Sequence, residues 1–197
     1  MFHFGQSFYR KLQDLKLAAD YASDVQFGEA CRMLVALAYV PETDVIKGWT
    51  AMQNLPGWAI KAGSDLAEYF ERSYIGTPGR NKTRKHPVFP IRLWNCSGRA
   101  LAGDPRTTNS LEAWHRAFQQ TIACAHPTVY KLFGFLRREQ GHQELMIAQI
   151  SAGQSPPKKR KKYELRTERL MEVVKRYDGV DIVGFLRDIS ASLEINL

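Results

Sequence analysis

Ser23-Asp24-Val25-Gln26-Phe27-Gly28-Glu29-Ala30-Cys31-Arg32-Met33-Leu34-Val35-Ala36-Leu37-Ala38-Tyr39-Val40-Pro41 carries the plainest structural signal in the chain. Phe27, Cys31, Leu34, Val35 and Ala38 recur at steps of three and four, which is one face of a helix with about 3.6 residues per turn. Ser23 with Gln26 three residues later reads as a capping box, and Pro41 stops the helix. The same habit extends outward on both sides. Phe4, Phe8, Leu12 and Leu15 share one face of an opening helix of about four turns. A third helix is predicted from about Pro41 to Asn54 with Val45, Trp49 and Met52 inward, and a fourth from Trp58 to about Ser73. The short connections imply a compact antiparallel cluster.

Residues 74–108 break the pattern. Gly76, Pro78, Gly79, Pro87, Pro90, Gly98, Gly103 and Pro105 punctuate them too often for a long helix. The apolar island Val88-Phe89-Pro90-Ile91-Arg92-Leu93-Trp94 is expected to pack down on the core, and Pro90 argues against a central strand. Helical spacing returns after Asn109. Asn109 or Ser110 can cap a helix whose Leu111, Trp114, Phe118 and Ile122 share a face. Another helix is predicted from Pro127, with Val129, Leu132, Phe133 and Leu136 inward and a polar continuation from Arg137 to Ile150. The small, prolyl and basic segment Ser151 to Tyr163 reads as a flexible linker. Short helices over about Glu164–Tyr177 and Ile182–Leu193 close the chain, and no internal repeat is visible.

The apolar fraction of 44% is that of a globular protein and excludes wholesale disorder. No apolar run approaches the roughly 18 residues of a membrane span, so no membrane partner is expected. The opening Met-Phe-His-Phe-Gly-Gln lacks the features of a secretory signal. Cys31, Cys96 and Cys124 are odd in number and widely spaced, which argues for reduced thiols. The formal charge of +8 and pI near 9.5 favour a polyanionic partner, nucleic acid foremost. That excess is local. Lys158, Lys159, Arg160, Lys161 and Lys162 are consecutive, and Arg80, Lys82, Arg84, Lys85 and Arg92 cluster in the Pro- and Gly-rich segment. The first group, held extended by Pro156 and Pro157, suits a nuclear-import signal read by an import receptor, or a phosphate-binding arm; a solvated linker is the plain alternative. The second is a candidate surface for weak, sequence-independent contact with DNA phosphates.

Among candidate chemical groups, Glu112 lies one helical turn from His115 and Arg116. An exposed ion pair with Arg116 accounts for that spacing without any catalysis. Two-metal phosphoryl transfer needs several carboxylates around ions about 3.5–4 Å apart, and no second or third acid stands near Glu112 in sequence. Cys124 with His126, and the scattered His3, His115 and His142, do not have the spacing of structural zinc ligands. Trp94 and Trp114 sit beside apolar neighbours and read as packing aromatics, and His3 as a packed or hydrogen-bonded histidine.

Arg106-Thr107-Thr108-Asn109-Ser110-Leu111-Glu112-Ala113-Trp114-His115-Arg116 resembles the R-T-N-N-S-x-E-x-W-H-R signature of Mutator-like element (MULE) transposases. Met1-Phe2-His3-Phe4-Gly5-Gln6 is similar to the C-x-F-H-F-x-Q segment of that family. Tyr69 to Gly76, Phe89 to Asn95 and Cys124-Ala125-His126-Pro127 follow in the same order, so the resemblance covers about residues 1–140, and Tyr177 to Ile189 more loosely. It departs at Thr108, where the family has Asn, and at Cys96-Ser97-Gly98, where bulkier residues are usual.

The resemblance implies a ribonuclease-H-like core with an Asp-Asp-Glu triad and a helical insertion between the second Asp and the Glu. Glu112 would be the third acid and a ligand for Mg²⁺ or Mn²⁺, with His3, Asn109, Trp114, His115 and Arg116 as family-motif residues. The family's cysteine, three residues before His3, and both aspartates with their strands would lie ahead of Met1. The expected architecture is therefore mainly α, a helical fragment of the core lacking most of its β-sheet. Its parts would be a core helix (1–17), the insertion (18–95), the last core helices (96–150), the basic linker (151–163) and a short helical tail (164–197). A single acid holds no metal pair tightly, so no cutting of DNA by this chain alone is expected. Without the sheet, the apolar faces of the helices at 4–17 and 110–122 are expected to lack partners and to promote self-association. The other reading is a non-enzymatic helical module that binds DNA or protein.

Overall fold

Helices make up most of the described chain, as the apolar periodicity implies. The computed structural model describes residues 2–59, 63–80, 83–104, 109–155 and 161–193. Among them there is no β-strand, only an isolated antiparallel bridge between Pro78 and Arg84. Eleven α-helices occur among the described residues: α1 (Phe2–Asp14), α2 (Ala18–Ser23), α3 (Val25–Ala36), α4 (Val45–Met52), α5 (Gly63–Phe70), α6 (Ile91–Trp94), α7 (Ser97–Leu101), α8 (Asn109–Ile122), α9 (Val129–Ser151), α10 (Lys161–Lys175) and α11 (Ile182–Ser192). Short 3-10 turns stand at Leu37–Tyr39, Glu42–Asp44 and Pro56–Ala59. No helix among the described residues is long and apolar enough to cross a membrane. The chain forms two compact units, residues 1–106 with 165–197, and residues 107–164.

In the first unit α3 is the hub. Phe27, Cys31 and Leu34 are fully buried, and so are Ala36 and Leu37 beyond the expected stripe, because α2, α11 and the turn at 56–59 all pack on it. Gly57 makes the approach of that turn possible: a Cβ there would lie 2.5 Å from the Gln26 carbonyl oxygen. The cap of α3 is Asp24, whose carboxylate accepts from the Phe27 amide at 2.9 Å. Ser23, expected as the cap, instead donates back to the Ala19 carbonyl as the last residue of α2. Asp24 wins because a charged acceptor at the helix start also meets the positive end of the helix dipole.

The opening helix corrects a second expectation. Phe4, Phe8 and Leu12 are buried, so the apolar face of α1 is covered rather than left open. Its cover is aromatic. Phe4 stacks on Trp94 with ring centroids 5.0 Å apart and meets Tyr74 edge-on at 5.0 Å. At its C-terminus Lys16 adopts φ 59°, and the Leu17 amide reaches back to the Leu12 carbonyl at 2.9 Å. This left-handed stop turns Leu17 into the core, the service usually rendered by glycine.

The closing helices belong to the same core. Leu186 and Ile189 are fully buried, with α11 lying against α3 and α4. Arg187 pairs with Glu29 at 2.6 Å, and the Tyr177 hydroxyl donates to Asp44 at 2.7 Å. Nothing in their sequence named these partners. Of the apolar island, only Trp94 is buried; Val88, Phe89 and Leu93 are exposed, which corrects the expectation that the island packs down as a whole. Pro90 turns the chain, Ile91 begins a single helical turn and packs partly against the core, and Trp94 drops fully inward.

Candidate nucleic-acid interface and the Glu112 helix

The basic segment of the first unit hangs from an unusual helix end. After Phe70 the helix widens into one π-turn, Glu71–Ile75, and Gly76 leaves it with φ 90°. Only glycine fits there, since a Cβ would come within 2.0 Å of the Lys85 carbonyl oxygen. The chain then doubles back: the Lys85 amide bonds the Thr77 carbonyl at 2.9 Å, and the Gly79 amide the Thr83 carbonyl at 2.8 Å. The five predicted cations do not share one fate. Arg84 is half-buried and committed to structure, donating to Glu71 at 2.9 Å and also to the Gly76 carbonyl. The Trp49 indole donates to the same Glu71 oxygen at 3.1 Å, so Arg84 ties the loop to the core. Arg80, Lys85 and Arg92 are exposed, and Lys82 lies outside the described residues.

A further cation escaped the sequence reading. Arg99 joins Arg92 on a cleft of about 250 Å³ lined also by Glu42, Trp94, Asn95 and Gly98. Asn95 fixes this wall by donating to the Val40 carbonyl at 2.7 Å, and the Cys96 amide bonds the Ala38 carbonyl at 2.7 Å. The available signal was that Arg92 and Arg99 bracket this fixed turn, but only the turn geometry brings them to one cleft. Arg80, Lys85, Arg92 and Arg99 thus give the first unit exposed positive charge of the kind that neutralises phosphates without reading bases.

The second unit is a helical hairpin of α8 and α9. Glu112 is half-buried in the first turn of α8, where the helix dipole favours a carboxylate. His115 and Arg116 are exposed one turn on. Asn109 begins the helix, its side chain lying outside the described residues, as do the backbone and side chains of residues 105–108. Trp114 points the other way. Its indole N–H donates to the Glu139 carboxylate of α9 at 2.7 Å, and its ring stacks on Phe118 at 5.2 Å. That hydrogen bond, with a second from Gln143 at 3.0 Å, holds the Glu139 carboxyl below its ordinary range. Trp114 is therefore a half-buried clamp between the hairpin arms and not a core residue.

The apolar face expected on α9 is not turned inward. Val129, Phe133 and Leu136 are exposed, and so is Leu111 on α8; of these two faces only Ile122 is buried. Periodicity shows that a face is apolar and not what covers it; Leu132, Phe135 and Glu139 are the half-buried residues in this part of α9, and Trp114 of α8 bonds Glu139. Thr128, whose hydroxyl accepts from the Lys131 amide, caps α9, so Pro127 stands before the cap and not at the first helical position. The helix then runs unbroken to Ser151, as its polar continuation implied.

Among the described residues no group of three or more His, Cys, Asp and Glu side chains is placed to hold an ion. Glu112 by itself does not make the site that a pair of Mg²⁺ or Mn²⁺ ions needs. His3 is exposed on α1, in the other unit from Glu112. Lys158, Lys159 and Arg160 lie outside the described residues, while Lys161 and Lys162 open α10 with side chains likewise outside them. No protein-family model matches the chain, and neither a curated protein nor a solved structure matches it.

Proposed function

We propose that the chain is a transposon-derived, DNA-associated nuclear protein related to Mutator-like transposases, and that it descends from the helical part of a ribonuclease-H-like core. One observation carries this: five separate motifs, from Met1-Phe2-His3-Phe4-Gly5-Gln6 to Cys124-Ala125-His126-Pro127, stand in the family's order. The start of a helix at Asn109, with Glu112 in its first turn, supports the same reading. These residues supply one of three acids, so the 197 residues alone do not cut DNA. They bind it weakly through exposed cations, and Lys158 to Lys162 serve as the import signal.

The test is direct. Purified chain with Mg²⁺ or Mn²⁺ is incubated with supercoiled plasmid, and neither nicking nor joining is expected. Metal-dependent cleavage that disappears in Glu112→Gln overturns the proposal. Affinity for a random duplex should fall steeply with salt, by about 0.9 logarithmic units per contacted phosphate for each tenfold rise. Replacing Lys158 to Lys162 with Ala should flatten that slope and abolish nuclear accumulation of a reporter fusion. An unchanged slope with unchanged import makes the run a solvated linker.

A second reading, a non-enzymatic helical module binding DNA or protein, is favoured by one specific feature. The apolar residues Phe4, Phe8 and Leu12 of α1 are buried within the first unit, Phe4 against Phe70, Tyr74 and Trp94. In-frame genomic sequence upstream separates the two. A cysteine three residues before His3, with two Asp-bearing strands beyond, favours the transposase; a stop codon favours the module.

A further inference from the structure

We propose that α9 pairs with α9 of a second copy as a two-fold antiparallel coiled coil. Phe133, Leu136, Gln140, Gln143, Ile147 and Ile150 recur at steps of three, four, three, four and three, the spacing of a coiled-coil seam. All six are exposed; Phe133 and Ile147 keep 60% and 63% of their surface. Within the chain Gln140 donates to Glu144 at 2.8 Å and Gln143 to Glu139 at 3.0 Å, bonds to acids at the two edges of the strip.

The order of the six residues identifies the occupant. Read in either direction it is two apolar residues, two glutamines, two apolar residues. An antiparallel copy centred between Gly141 and His142 therefore sets Phe133 against Ile150, Leu136 against Ile147, and Gln140 against Gln143. Sliding the copy by one heptad either way faces apolar side chains with glutamines, so the central polar pair fixes the register. Charge decides the direction. In the antiparallel arrangement Arg137 flanks the seam opposite Glu144 of the other copy, and the two-fold axis repeats that pair. A parallel in-register pairing would instead place Glu139 beside Glu144 of the other copy, two like charges. The helix is 23 residues long, about 34 Å, so nearly three heptads are in register.

The full chain, studied by sedimentation velocity across a concentration series, should show a monomer–dimer equilibrium. Leu136→Glu or Ile147→Glu should weaken it more than about a hundredfold, since each places two charges in the seam. Both positions are exposed in the monomer, so circular dichroism should match the parent chain and a lost dimer cannot be ascribed to unfolding. E144R distinguishes the directions. It turns both cross-pairs into repulsions in the antiparallel dimer and should weaken it roughly tenfold, and R137E in the same chain should restore it. A chain that stays monomeric throughout overturns the proposal, as does a dimer indifferent to Ile147→Glu. A dimer tightened by E144R overturns the antiparallel arrangement.

Discussion

Leu186→Ala asks whether the closing helices are part of the first unit's core or an appendage to it. Leu186 is fully buried on α11, and a Cβ at Gly48 of α4 would come within 4.0 Å of its Cδ1 atom. Truncating a fully buried leucine costs about 2–5 kcal/mol, the transfer of the lost methyls plus the cavity that remains. Leu186 touches α4 from one side while α3 packs along α11, so little collapse is open to the site and about 3 kcal/mol is expected. The matched control is Val180→Ala, at 82% exposed, which should change stability by no more than about 0.5 kcal/mol. Urea unfolding followed by tryptophan fluorescence reads the first unit through Trp49, Trp58 and Trp94 once Trp114 of the second unit is replaced by Phe in both parent and variant. With a slope of about 2 kcal/mol per molar urea, the midpoint should fall by about 1.5 M. The linkage matters as much as the size. If residues 165–197 were a separable tail, Leu186→Ala would leave the tryptophan transition where it was, and that result would refute the packing described here.

Three further outcomes follow from the same contacts. A thiol reagent should titrate Cys124 alone in the native chain and all three cysteines in denaturant, because Cys31 and Cys96 are buried and burial pushes the Cys31 thiol upward; two fast thiols in the native state would contradict this. Burial also pushes the Tyr74 phenol up to about 12, against an opposing hydrogen bond with Ser7 at 2.7 Å. The fold thus favours the neutral phenol, a contribution complete below about pH 10 and lost as pH rises toward 12. Tyr74→Phe should flatten that alkaline decline in urea-unfolding stability, and an unaltered pH profile would count against it. Trp114→Phe removes the first donor to Glu139, so carboxyl-carbon NMR titration should find the Glu139 group moving up toward its ordinary range; no movement would mean the hairpin clamp is not formed.

Where one face of a helix is apolar and its neighbours are close in sequence, local spacing was enough. Val45, Trp49 and Met52 point inward as their three-four steps demand, and Phe4, Phe8 and Leu12 do likewise. Two kinds of information were not in the spacing. The first is long-range pairing. The contact of α11 with α3 includes the Arg187–Glu29 pair, 158 positions apart, and no local pattern in Ile182 to Ile189 names Glu29 as a partner. The second is how a charged side chain is employed. Arg80, Arg84 and Lys85 look alike in sequence, yet Arg84 closes on Glu71 because the π-turn and Gly76 fold the loop back over that carboxylate, and its two neighbours stay in water. Of the candidate site, Glu112 with its neighbours was found on a helix start as expected, whereas Arg99 needed the turn at Asn95 to reveal it.

The exposed face of α9 shows what apolar periodicity leaves open about burial. Val129, Phe133 and Leu136 satisfy helical periodicity, and periodicity reports only that an apolar stripe exists, leaving open whether its cover comes from the same chain. On α3 the cover is intramolecular, from α2, α11 and the 56–59 turn, and the stripe widens until nearly the whole circumference is apolar. On α9 the heptad-spaced Phe133, Leu136, Ile147 and Ile150 are exposed, with Val129, Tyr130, Leu145 and Met146 exposed beside them, and Gln140 and Gln143 stand at the centre of that spacing. In the single chain Gln140 donates to Glu144 and Gln143 to Glu139 of the same helix, so the polar centre of this face is held by acids at its own edges. Across a two-fold axis the same glutamines meet, with Gln140 and Gln143 of each copy facing Gln143 and Gln140 of the other. The exposure of the heptad-spaced residues and the pair of glutamines at their centre are therefore what distinguish this face, offered to a second chain, from one that fills its own core.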